Sequence, residues 1–209
     1  MKYISGFFIS AFLLGVTHGH VLGILRELSP WITELSDTIT HVLKDTGGVI
    51  GHTFSSLDSI IEGGEDSIVQ FSNNIEDILN GCPDDSQHQQ CAAQLRAVSQ
   101  GINSTILRIC IDETRIRNTL SERLVQISKL RTQCMTTFTR CLKQPPIDQC
   151  IKTEINTVKS SIQENELTLH KDVESICAEV KQCVSDRAQQ VCGTLQSAID
   201  DYKKCSGDD

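Results

Sequence analysis

All ten cysteines of this 209-residue chain fall between Cys82 and Cys205, and three pairs repeat one spacing, C-x8-C: Cys82 with Cys91, Cys141 with Cys150, and Cys183 with Cys192. Nine steps along a continuous α-helix turn about 900° and rise about 13.5 Å, which leaves the two side chains on opposite faces. A disulfide tolerates a Cα separation of only about 7 Å. A bond within such a pair therefore requires the chain to reverse between the two cysteines. Turn-forming residues lie in each interval: Pro83-Asp84-Asp85-Ser86, Pro145-Pro146 and Ser185-Asp186. The spacing predicts three helical hairpins clipped at their mouths. Antiparallel pairing about Pro145-Pro146 sets Cys177 opposite about residue 114, within a turn of Cys110. Cys110–Cys177 is then the expected fourth bridge and Cys134–Cys205 the fifth.

Five disulfides need an oxidising compartment, and the start of the chain agrees. Lys2, the apolar run Phe7 to Val16 and the small residues around Thr17-His18-Gly19 read as a secretion signal over residues 1–19, with cleavage expected after Gly19. Zinc is the rival use for cysteine clusters, but the closest pair is Cys177 and Cys183, and no C-x-x-C occurs. The apolar run is far shorter than the roughly 20 residues of a bilayer span, and no transmembrane anchor is expected.

Two further parts follow the signal: residues 20–81, acidic and free of cysteine, and the cysteine-rich residues 82–209. In the first, Val21, Leu25, Leu28, Ile32, Leu35, Ile39 and Val42 alternate in steps of four and three, the spacing of one apolar helix stripe. The stripe resumes one residue out of phase at Ile50, Phe54, Leu57 and Ile61. Pro30, Gly47-Gly48, Gly51 and Gly63-Gly64 interrupt it, predicting two to four helices joined by glycine hinges. In the second part a stripe from Leu95 through Val98, Ile102, Ile106, Ile109, Ile116, Leu120 and Ile127 to Cys141 predicts one helix of about 50 residues. A third helix carries Ile151 to Val180 and a fourth Val191 to Tyr202. Aromatic residues make up 4% of the chain, which suits helix-on-helix packing better than a β-sandwich. The expected fold is all-α: an elongated antiparallel helical bundle or set of hairpins with coiled-coil-like packing.

The net charge of −8 is concentrated in residues 20–81, where ten acids face two bases, Arg26 and Lys44. Such a surface repels phosphate backbones and anionic lipid, so nucleic acid is not an expected partner. The histidines beyond the signal (His20, His41, His52, His88 and His170) form no H-E-x-x-H, and no G-x-S-x-G, dinucleotide or phosphate-loop motif is present. The pairs Asp84-Asp85 and Asp200-Asp201 lack the ligand spacing of a calcium loop. No enzyme activity, metal or cofactor is expected. Asn103-Ser104-Thr105 meets the acceptor rule for N-glycosylation at Asn103.

The repeated C-x8-C spacing, the signal and the glutamine-rich, aromatic-poor helices over about residues 82–205 resemble the TsetseEP domain family of secreted insect proteins. The Glu-Pro repeat of its founding member has no counterpart among the four prolines here. The resemblance implies a secreted protein of the insect gut concerned with responses to microbes, and it transfers no functional residue. The residues themselves point first to a secreted, extracellular, non-catalytic interaction protein. Its acidic residues 20–81 would engage the partner: an extracellular protein, a microbial surface or a second copy. The alternative is a carrier that opens at the glycines and lays Trp31, Phe54 and Phe71 on lipid or another hydrophobic ligand. A protease inhibitor using the segment Leu142 to Gln149 ranks below both.

Overall fold

A computed structural model describes residues 19–102, 104–143 and 146–207. Among these the chain is all-α, with no strand: α1 (Gly19–Asn80), α2 (Ser86–Gln100), a 3-10 segment η1 (Ser104–Cys110), α3 (Glu113–Cys141) and α4 (Ile147–Ser206). The expected signal lies outside the described residues except for Gly19, which opens α1. No helix among the described residues is long and apolar enough to cross a membrane.

Where several hinged helices were expected in residues 20–81, α1 runs unbroken through Pro30 and every glycine up to Asn80. An interior glycine costs a helix about 1 kcal/mol, whereas each fully buried Leu or Ile contributes about 1.5–3 kcal/mol. The buried stripe Leu35, Ile39, Val42, Leu57, Ile61, Ile68 and Ile75 outweighs the glycines. The phase shift that suggested a break is filled by Thr46 and Thr53, both 2% exposed, and by the buried Gly64. Steps of three and four continue through those positions.

The turn at residues 81–85 coincides with the change in composition. Asp85 caps α2, its Oδ1 accepting from the N–H groups of Gln87 at 3.1 Å and His88 at 2.9 Å. The His88 N–H foremost holds the Asp85 carboxyl below its ordinary range. The single long helix expected over 95–141 is instead split. α2 ends at Gly101, η1 intervenes, and Asp112 Oδ1 caps α3 by accepting from Arg115 N–H at 2.9 Å.

Two compact units draw on both sides of the composition boundary. The first joins the described residues up to Ile50 to Asn118–Asp172. Its core gathers Leu35, Ile39 and Val42 of α1, Ile127, Cys134, Phe138 and Cys141 of α3, and Ile151, Ile155, Val158 and Ile162 of α4. Cys141 and Cys150 are disulfide-bonded where α3 gives way to α4. Arg140 pairs with Glu154 at 3.0 Å, and farther from the turn Arg123 pairs with Asp172 at 2.8 Å, so α3 and α4 run antiparallel. Lys159 Nζ, 2.6 Å from Glu34 Oε1, ties α4 to α1.

The second unit comprises Gly51–Arg117 and Val173–Asp209. Here α2 lies antiparallel to α4, held by Cys91–Cys205 and by Gln87 Nε2 donating to the Cys205 carbonyl at 2.8 Å. Cys110–Cys183 and the Arg115–Glu179 pair at 2.7 Å continue the same antiparallel register. The break at 101–112 therefore interrupts the helix without turning the chain away from α4.

Three disulfides form among the described residues, not five. Cys141–Cys150 joins the expected pair. Cys82–Cys91, Cys183–Cys192, Cys110–Cys177 and Cys134–Cys205 do not form: Cys91, Cys110, Cys183 and Cys205 are bonded elsewhere, and Cys82, Cys134, Cys177 and Cys192 are free thiols. The helix geometry that required reversals gives the reason. α4 is continuous past Ser185-Asp186, because Val184 and Ala188 extend its buried stripe from Val180 to Val191, so Cys183 and Cys192 stay apart. Released from that pairing, Cys183 is the cysteine of α4 that lies opposite Cys110.

Candidate functional site

The shift from α-helix to 3-10 helix at η1 changes which residues share a face. With three residues per turn, side chains at i and i+3 eclipse one another. Leu107 and Cys110 fall on one row, Ile106 and Ile109 on another. The first row faces inward: Leu107 is fully buried, and Cys110 is bonded to Cys183 of α4. A Cβ built on Gly64 of α1 would lie 2.8 Å from Leu107 Cδ1 and 2.5 Å from Val184 Cγ1. Gly64 thus marks a close approach of α1, α4 and η1 rather than the expected hinge. Gly47, Gly48, Gly51 and Gly63 meet nothing within 4 Å at a Cβ.

The second row faces water, with Ile106 39% and Ile109 69% exposed. An α-helical reading of the sequence places both in the core stripe. The period-3 signal was present in the 106/109 and 107/110 rows, but Ile102 and Ile116 also fit an α-helical phase and masked it. At the edge of the segment Arg108 Nε lies 3.9 Å from Glu65 Oε1. Ile106 and Ile109 are therefore two aliphatic side chains displayed on a short segment fixed by a disulfide, a buried leucine and the Asp112 cap.

The aromatic residues expected to meet a hydrophobic ligand are divided between the two units. Trp31 is 40% exposed on the part of α1 in the first unit. Phe54, in the second unit, is half-buried, with the Arg117 guanidinium 4.6 Å from its ring centroid. Phe71 is also half-buried, more than four turns farther along α1. Phe54 already has a protein partner, and no glycine break is present to release the stripes. Asn103 lies outside the described residues, as do Gln144 and Pro145 in the segment considered for protease inhibition.

Among the free thiols, burial first and then the neighbouring Glu154 carboxylate push Cys134 up to about 11. Burial also raises Cys177 and Cys192, both half-buried. The Cys192 thiol donates weakly to the Ser67 carbonyl at 3.9 Å. These surroundings suppress the thiolate, the opposite of what a nucleophilic cysteine requires. His41 pairs with Asp45 and His88 with Asp85, each within one helix turn or cap. Among the described residues no group of three or more His, Cys, Asp or Glu is placed to hold a metal ion.

Comparison with known proteins finds no matching family model, no similar curated protein and no similar solved structure.

Proposed function

We propose that this chain is a secreted, non-catalytic interaction protein that binds an extracellular protein partner, with Ile106 and Ile109 of η1 at the contact. The observation that carries the proposal is the outward row of η1 held rigid by Cys110–Cys183 and Leu107. Large aliphatic side chains fixed in place lose little conformational freedom on binding, so more of their burial appears as affinity. Three disulfides and the absence of a membrane-length helix among the described residues are compatible with life outside the cell. The kinship with TsetseEP-type secreted proteins belongs to this proposal and rests on cysteine spacing and helical composition. The bundle geometry expected from the stripes belongs to it as well, supported by the shared core of α1, α3 and α4 in the first unit.

The acidic half enters the reading in a secondary role. From Leu35 to Ile75 its apolar stripe is spent on the core, so what this stretch offers a partner is its charge, which favours basic surfaces. The test is to place a photoreactive amino acid at position 109 and irradiate the protein in the extracellular fluid of its source tissue. One dominant cross-linked partner, or a second copy of the chain, is expected. Cross-linking no stronger than from the same group at exposed Lys152 of α4 contradicts the proposal.

A further inference from the structure

In the second unit a cleft of about 590 Å³ runs between α2 and α4. Its floor is apolar: Leu95 is fully buried and Tyr202 is 6% exposed. One wall is missing a side chain, because α4 carries Gly193 there, and a Cβ at that position would meet nothing within 4 Å. The helix therefore bears the cost of an interior glycine without the packing reason that Gly64 has. Gln94, Ser197 and Asp201 supply hydrogen-bonding groups around the opening. Among the described residues Asp201 is the only charged one lining the cleft; Lys203 and Lys204, next along α4, are exposed and outside it.

The walls cannot separate freely. Cys91 lines the cleft and is bonded to Cys205, and Gln87 holds the Cys205 carbonyl one turn earlier on α2. A preformed, covalently clamped cleft of this size falls in the usual range of small-molecule sites, roughly 300–1,000 Å³. It is too small for a folded partner. Its single carboxylate selects the sign of the ligand: a cation finds Asp201, while an anion meets the same charge unfavourably.

We propose that this cleft binds a small organic monocation, its ammonium on Asp201 and its apolar body against Leu95, Tyr202 and the open face of Gly193. The site is separate from η1, so its failure leaves the partner-binding reading intact, and the reverse also holds.

The test uses the full mature protein with its disulfides intact and a matched set of probes: 4-phenylbutylamine, 4-phenylbutanol and 4-phenylbutyrate, titrated by calorimetry. The amine is expected to bind saturably, at least tenfold more tightly than the acid, with the alcohol between them. Gly193→Leu fills the opening and should abolish amine binding. Should that variant fold poorly by circular dichroism, Asp201→Asn serves in its place, weakening the amine about tenfold while leaving the alcohol unchanged. Absence of saturable amine binding, equal binding of amine and acid, or amine binding indifferent to both substitutions overturns the proposal.

Discussion

Gly64 of α1 lies directly beneath Val184 of α4: a Cβ on Gly64 would sit 2.5 Å from Val184 Cγ1, a separation that side chains do not tolerate. Its neighbour in sequence, Gly63, faces open space. Gly64→Ala should destabilise the protein by about 1–3 kcal/mol through overpacking. Gly63→Ala should stabilise it by up to about 1 kcal/mol through helix propensity and a less flexible unfolded chain. Urea denaturation of the two variants checks both signs; two shifts of the same sign would count against the close approach.

The same pair shows what the sequence does and does not reveal. The three-and-four spacing of Leu35, Ile39 and Val42, or of Ile151, Ile155 and Val158, is enough to read helices and their buried faces. It misleads where a stripe position is filled by a small or polar residue. Thr46, Thr53 and Gly64 in α1 sit on the buried face without looking apolar, so one helix reads as several. In α4, Val184 and Ala188 carry the stripe past Ser185-Asp186, two residues that suggest a turn only in isolation.

Disulfide mapping tests the helix continuity that follows. Digestion under non-reducing conditions should yield peptides linked through Cys91–Cys205, Cys110–Cys183 and Cys141–Cys150. A Cys183–Cys192 link would require α4 to break and would contradict the fold. C-x8-C spacing favours that pairing because local spacing does not report which of two cysteines faces another helix.

The buried thiol of Cys134 gives a prediction about reactivity. With its pKa at about 11, about one molecule in a thousand carries the thiolate at pH 8. Differential alkylation should leave Cys134 unlabelled in the folded protein and label it readily in denaturant. Its ordinary value is 9.0, so as pH rises from 9 to 11 the unfolded chain ionises first and the folded state loses stability. Cys134→Ala should remove that part of the alkaline loss, read from melting temperatures across the window.

The Phe54–Arg117 contact separates the carrier reading from the partner reading. If Phe54 packs under the guanidinium at 4.6 Å, Arg117→Ala lowers stability by about 0.5–1 kcal/mol through loss of the cation–π contact, and it gains no affinity for neutral lipid particles. Lipid binding that strengthens in this variant would favour an aromatic surface held ready for lipid.

Ile106 and Ile109 carry the proposed contact. The outward row of η1 was the least legible feature of the sequence, since only the change from 3.6 to three residues per turn takes these two isoleucines out of the core and leaves Leu107 in it. The direct measurement is the affinity of the cross-linked partner for the wild-type protein and for the Ile106→Ser/Ile109→Ser double variant, with disulfides and helix content verified in both. Loss of two buried aliphatic anchors should weaken binding more than tenfold without altering the melting temperature. Unchanged affinity would contradict the placement of the contact on η1.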